Sequence, residues 1–179
     1  MNASNVKTQT KTYQIFDEAK EELWNIRNEG GMIDIVKTIR NAWSWRGIEP
    51  TEVIAINSFG NVIVQDDAGE IWRICPEELE ATKIASSRSA YELLRGNQDF
   101  VLDWEMELPR LEAEALLGEP GSGRCYCFKI PATLGGKYAG DNFGINSIDE
   151  LVSASGNMAF QIKDIPDGEK VRIIAKKSN

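Results

Sequence analysis

Between residues 50 and 85 the sequence repeats a simple unit, a short run rich in β-branched residues followed by a turn. In the third run, Ile71 and Arg73 share one face of a strand while Trp72 and Ile74 share the other. Gly69 supplies the left-handed backbone that a short hairpin loop requires. The pattern predicts a three-stranded antiparallel meander with strands at residues 51–56, 61–65 and 70–75, which residues 80–84 can extend.

Segments with helical periodicity flank this meander. Apolar residues recur at helical spacing in residues 12–28 and 32–45, and again in 90–95 and 100–117. The last of these contains Pro109, so it forms either two helices or one helix kinked at that residue. Ser147 is a suitable cap for a further helix over residues 148–152, with Asp149 and Glu150 in its first turn.

The remaining segments are predicted to be strands and loops. Residues 124–130 form a strand that Pro131 ends, and residues 158–162 and 171–175 form two more around a turn at 166–168. We therefore expect an α+β fold with N-terminal helices, an antiparallel or mixed sheet that contains the meander, and helices packed on one face. Residues 1–12 are polar and are expected to be a disordered arm, followed by a single domain over residues 13–179.

The composition excludes several kinds of chemistry. The chain of 179 residues has no histidine, which removes the commonest general base and metal ligand, and triads that depend on histidine are impossible. The three cysteines, Cys75, Cys125 and Cys127, are odd in number and contain no CxxC pair, so we expect reduced, largely buried thiols. No metal or cofactor is predicted. We also see no apolar run long enough to cross a membrane and no signal-peptide core, and we expect a cytoplasmic protein.

Charge points to the kind of partner that the chain would bind. The net charge is −8, and residues 99–119 hold seven acidic residues against one base, Arg110. An acidic surface repels the phosphates of nucleic acids and attracts basic proteins. Asp103 and Glu107 are four residues apart on the helical segments, so they are predicted to share a face. This face is either a solvated surface, an acidic docking surface or, less simply, a pair of carboxylates for acid–base chemistry.

A second candidate contact region is the glycine-rich loop over residues 134–142. Its adjacent glycines, Gly135 and Gly136, permit backbone conformations that other residues avoid, and exposed backbone amides could bind an anion. The loop either turns the chain under steric restraint or contacts a ligand or partner. In the second case the contacting residues would include Lys137, Tyr138, Asp141 and Asn142.

The order of short motifs along the chain resembles that of one bacterial family. The motifs are WSWRG at 43–47, FGN at 59–61, IWRICPEEL at 71–79, DW at 103–104, YCFKIP at 126–131, LGGKY at 134–138, Asn142 and PDG at 166–168. They resemble the C-terminal domain of type VI secretion immunity proteins that protect against DNase toxins, a domain of formerly unknown function that is often found alone or beside a GAD-like domain. The resemblance covers roughly residues 33–175. The stretch before it is too short for a GAD-like domain, so we expect a stand-alone relative.

The resemblance implies a non-catalytic protein that binds a cognate toxin with a basic surface. It carries over no catalytic or cofactor residues. A small-ligand or peptide-binding module, using the 134–142 loop and neighbouring aromatic side chains, is the alternative that the residues leave open. The identity of the toxin and the oligomeric state do not follow from the sequence.

Overall fold

The computed structural model describes residues 34–166 and 168–172, and its larger sheet is the predicted meander with a fourth strand. The order is β1-β2-β3-β4, and all neighbours are antiparallel. Gly69 has a φ of 82° in the β2–β3 turn, as the hairpin prediction requires. The strands are β1 Pro50–Ile56, β2 Val62–Asp66, β3 Ile71–Cys75 and β4 Glu80–Ala85.

Helices cover both faces of this sheet rather than one. On the first face lie α1 (Ile35–Trp43) and α5 (Ile148–Ile162), which bury a cluster around Val62, Val64 and Ile74. On the other face, Ile63 and Ile71 pack with side chains from α2 (Arg88–Leu94) and α3 (Gln98–Glu105). Both faces are covered because β2 is apolar on each side: Val62, Ile63 and Val64 are all fully buried.

Helices α1 and α2 begin at residues whose side chains cap the first turn. The Asp34 carboxylate accepts from the amide of Lys37 at 3.0 Å, and the Ser87 hydroxyl accepts from the amide of Ala90 at 3.2 Å. α5 begins at Ile148 as predicted, although the Ser147 hydroxyl makes no capping bond. The helix predicted over residues 12–28 and the arm over 1–12 lie outside the described residues. The single domain over 13–179 also stays a prediction.

A small second sheet completes the fold. It pairs β5 (Arg124–Phe128) with β6 (Phe143–Ser147) in antiparallel register, and β6 was not predicted because Gly144, Asn146 and Ser147 have weak strand preference. α4 (Glu107–Leu117) lies against this sheet. Phe59 joins the two sheets because its ring packs against Tyr126, Phe128 and Phe143 at centroid distances of 5.1–5.8 Å.

The C-terminal prediction was wrong. Residues 158–162, predicted to be a strand, form the last turns of the 15-residue helix α5. The reason is Gly156, which interrupts the apolar pattern in the sequence but permits close helix packing. A Cβ there would lie 2.7 Å from the carbonyl oxygen of Ala42 on α1. In the strand predicted over 171–175, the two described residues, Val171 and Arg172, are not in a strand, and the rest lies outside the described residues.

Candidate functional site

A groove of about 240 Å³ lies on the surface where β3 and β4 meet the end of α3. Arg73 and Cys75 on β3 are paired with Thr82 and Glu80 on β4, so strand alternation places all four on the same face. The groove is lined by Arg73, Cys75, Glu77, Glu78, Glu80, Thr82, Asp103, Met106 and Tyr138. It therefore gathers four carboxylates around a single guanidinium.

A buried hydrogen-bond network forms the floor of this groove. The side-chain amide of Asn61 donates to both carboxylate oxygens of Glu77 at 2.9 Å, and its oxygen accepts from Nε of Arg73 at 3.1 Å. Asn61 is fully buried and Glu77 is 4% exposed. Among the described residues no buried side-chain nitrogen or oxygen lacks a partner. The floor is thus a fully hydrogen-bonded polar network.

Arg73 connects the floor to the rim. Its guanidinium lies 5.6 Å from the centre of the Trp104 ring and donates to the carboxylate of Asp103. The Arg73 side chain is only 13% exposed, whereas the Asp103 side chain is 66% exposed. Asp103 therefore presents a carboxylate to solvent from a position fixed by a mostly buried cation.

Tyr138 and Glu78 form the opposite rim. The Tyr138 hydroxyl donates to Glu78, and its ring packs edge-on against Phe128 with a centroid distance of 4.7 Å. The Thr133 hydroxyl donates to the backbone carbonyl of Glu78 at 2.5 Å. These contacts attach the 134–142 loop, which contains four of the six predicted contact residues, to the sheet edge that carries the acidic residues.

Burial controls the protonation of the groove residues. Desolvation raises the pKa of Glu77 above its ordinary value of 4.5, and the hydrogen bond from Asn61 opposes this change. Burial also raises the pKa of the Tyr138 hydroxyl, and its hydrogen bond to Glu78 acts in the same direction. Tyr138 is therefore a neutral donor at physiological pH.

The three thiols are free, and the pKa of each is raised. Burial raises the pKa of the Cys125 thiol to about 12, and the pKa of Cys75 rises in the same direction through burial and the neighbouring Glu77. The pKa of Cys127 is also raised, because burial outweighs the nearby Lys129 and Arg124. A thiol acts as a nucleophile only as the thiolate, so none of the three is activated.

Asp103 and Glu107 were predicted to share one helical face, and the structure separates them. The chain breaks at Met106, whose φ of 47° ends α3 at Glu105 and starts α4 at Glu107. Pro109 is then the third residue of α4, where its missing amide has no helical acceptor to lose. The segment therefore forms two helices, which was one of the two predicted alternatives. The break lies at Met106, three residues before Pro109.

The loop residues have different roles. The side chain of Asn142 is used inside the loop: it donates to the carbonyls of Ile130 and Lys137 at 3.0 and 2.8 Å and accepts from the amide of Ile130 at 2.9 Å. Lys137 and Asp141 are exposed, and the Asp141 carbonyl accepts from Nζ of Lys129. Of the six predicted contact residues, the structure thus brings only Asp103 and Tyr138 to the groove.

Sequence reasoning missed Asn61, Glu77 and three exposed leucines of α4, which are Leu108, Leu111 and Leu116. Glu77 and Glu78 follow Pro76 in an ordinary acidic stretch, and nothing in the sequence distinguishes the buried carboxylate from the exposed one. Their environments differ because the Glu77 backbone carbonyl accepts from the amide of Ala132 at 2.7 Å, which draws the 131–142 segment over it. The leucines follow a helical pattern that equally predicts a core face.

Two further findings concern the described part of the chain as a whole. Within residues 34–166 and 168–172, no three acidic or thiol side chains gather where they could hold a metal ion. No helix in those ranges is long and apolar enough to span a membrane.

The chain is thus an acidic α+β protein. The polar floor of its groove is fully hydrogen-bonded, and its thiols are protonated. Residues 85–159 match the model of the family described as T6SS immunity protein Tdi1, C-terminal. The predicted resemblance is confirmed over these residues, which include α2 to α4 and most of α5 and cover under half of the chain. The motifs at 43–47, 59–61, 71–79 and 166–168 lie outside the match. A search of curated proteins found no match.

Proposed function

We propose that this chain is an immunity protein that binds a cognate toxin of a type VI secretion system and neutralises it without catalysis. The observation that carries the proposal is the family match over residues 85–159, which supports an immunity role in type VI secretion. The matched segment contributes Asp103, Met106 and Tyr138 to the acidic groove. Part of the candidate site therefore comes from the segment that is similar to the family.

The charge of the chain favours a partner with a basic surface. The net charge is −8, and Glu78, Glu80 and Asp103 stand around a groove whose single cation, Arg73, is already bonded to Asp103. A nuclease must present a basic surface to DNA, so an acidic protein can compete with DNA for that surface. We therefore infer that the toxin is a nuclease and that the complex forms in the cytoplasm, where the DNA is.

The groove suits a protein contact better than a small ligand. Its volume of about 240 Å³ is below the range of about 300–1,000 Å³ that is usual for ligand pockets. Its lining is charged, whereas ligand pockets are mostly apolar. A basic side chain from a partner protein could enter such a groove and meet Glu78, Glu80 and Asp103 without the enclosure that a small ligand needs.

The test is protection of cells from a toxin. We expect the neighbouring gene to encode a type VI effector with nuclease activity, and co-expression of this chain should restore the growth of cells that produce it. The same chain should give no protection from a nuclease of another family, which controls for non-specific effects of an acidic protein. Calorimetry should show that this chain binds a catalytically inactive form of the toxin. Full killing in the presence of soluble, folded chain would refute the proposal.

A further inference from the structure

The outer face of α4 carries apolar side chains that nothing in the described structure covers. Leu108 is 80% exposed, Leu111 48% and Leu116 57%, and Ala115 between them is also exposed. At 100° per residue these four positions fall within an arc of about 140° on one side of the helix, which also holds the exposed Glu112. We refer to Leu108, Leu111, Ala115 and Leu116 as the leucine ridge. A solvated helix face does not ordinarily concentrate leucines in this way.

The ridge is held by contacts elsewhere on the same helix and, within its own arc, by Glu112. Ala113 is fully buried in the aromatic cluster between the two sheets. The Glu112 carboxylate accepts from the amide of Gly140 at 2.9 Å, and the Tyr126 hydroxyl donates to the carbonyl of Gly118 at 2.9 Å. The leucines are therefore presented on an anchored helix, which lowers the entropic cost of binding.

The charges beside the ridge are mostly negative. The only base between residues 99 and 119, Arg110, already pairs with Glu114 at 2.8 Å. Glu107, next to Leu108, is exposed and has no ion pair among the described residues. An apolar centre with a charged rim is the usual anatomy of a protein interface, and a rim of this sign calls for a basic partner.

We propose that the leucine ridge is a docking surface for a basic segment of the toxin that also carries apolar side chains. The ridge lies entirely within residues 85–159, the segment that matches the immunity family. The inference rests on the proposed function and adds the surface and the partner chemistry. Contact with the ridge buries leucine, and the lysines or arginines of the toxin segment lie against Glu107 and its acidic neighbours.

The charges disfavour two other occupants. If a second copy of the chain met the ridge around a two-fold axis, Glu107 of each copy would face a surface of its own sign, in a protein of net charge −8. A membrane surface carries negative lipids and is bound by helices rich in lysine and arginine, whereas α4 has one arginine and three acidic residues. A basic protein segment with apolar side chains packs against the leucines and also pairs with the acidic side chains.

The experiment compares the double variant Leu108→Gln/Leu111→Gln with Leu93→Gln, using the catalytically inactive form of the toxin encoded beside this gene as the probe. Leu93 on α2 is 82% exposed and serves as the matched control. Glutamine keeps the helix preference close to that of leucine, so the urea unfolding midpoint of both variants should match that of the wild type. We expect the double variant to bind about 100-fold more weakly, about tenfold for each leucine, and Leu93→Gln to bind within about twofold of the wild type.

A charge variant tests the rim of the same surface. Glu107→Lys should slow association with the toxin about tenfold at low salt. Asp67→Lys makes the same charge change in the β2–β3 turn, at the end of the strands remote from Phe59 and the α4 cluster, and should slow association less.

The outcomes separate the ridge from the proposed function. Tight binding of the toxin by wild type and double variant alike would overturn the ridge and leave the immunity role standing. No binding by the wild-type chain would overturn both. Sedimentation that shows a wild-type dimer, which Leu108→Gln/Leu111→Gln converts to a monomer, would assign the ridge to a second copy and overturn the proposal.

Discussion

Replacing Asn61 by alanine tests the buried floor of the groove. This one change removes the donor to both oxygens of Glu77 and the acceptor for Nε of Arg73. Glu77 is 4% exposed and cannot recover these bonds from bulk water. A hydrogen bond to a charged group contributes about 1.5–3 kcal/mol, and the loss of these contacts should cost about 3 kcal/mol of unfolding free energy at pH 7.5.

The cost should depend on pH with a defined sign. The hydrogen bond from Asn61 lowers the pKa of Glu77, so its loss raises a pKa that burial has already raised. Below about pH 4.5 Glu77 is protonated in both the folded and unfolded states, and the variant loses little through ionisation. As pH rises above 4.5 the unfolded chain releases its proton first, so the deficit of Asn61→Ala relative to the wild type should grow.

The assay is urea unfolding at pH 4.5, 6 and 7.5, followed by tryptophan fluorescence. Asn157→Ala is the matched control, because the Asn157 amide donates to Ser153 on the exposed surface of α5 and its loss should cost under about 0.5 kcal/mol. If Asn61→Ala costs less than about 1 kcal/mol at pH 7.5, or the same amount at every pH, then Asn61 does not hold an ionisable Glu77 as described.

Three other predictions follow from single contacts. Gly156→Ala should lose about 2 kcal/mol of unfolding free energy because its Cβ would lie 2.7 Å from the carbonyl oxygen of Ala42, whereas Gly121→Ala, with open space around it, should be close to neutral by the same urea measurement. The free energy of unfolding of the wild type should fall as pH rises above 4.5, because folded Glu77 keeps its proton to a higher pH than unfolded Glu77 does. Thermal melts of Glu77→Gln should lack this contribution. The same dependence of Tm on pH in both proteins would contradict it. In the folded chain at pH 8, Cys125 should react with iodoacetamide about a thousandfold more slowly than an ordinary thiol, because its pKa is raised from 9.0 to about 12; mass spectrometry that finds it labelled as fast as a model thiol would rule this out.

The meander was predictable because the sequence features that specify it act over only a few residues. Alternation within β3 and the glycine in the β2–β3 turn each act over a few residues, and the observed strands lie within one or two residues of the predicted bounds. α5 was mispredicted after residue 152 because its helical state depends on distant residues. Gly156 is favourable there only because α1 passes directly over it.

The candidate site was predictable only in part, for the same reason. The acidic excess of residues 99–119 and the 134–142 loop could be identified from the sequence, and Asp103 and Tyr138 from these segments reach the groove. The burial of Glu77 depends on chain segments that come together from positions 61, 73 and 132. The exposure of Leu108 and Leu111 likewise follows from which side of α4 meets the aromatic cluster, and helical spacing alone does not determine that side.

Binding of the toxin through an acidic surface can be measured as the association rate of this chain with the catalytically inactive toxin at different salt concentrations. Stopped-flow fluorescence at 50 and 500 mM NaCl should show association slowing by about tenfold or more at high salt, with a much smaller change in dissociation. An association rate that does not change with salt would contradict binding through the acidic surface.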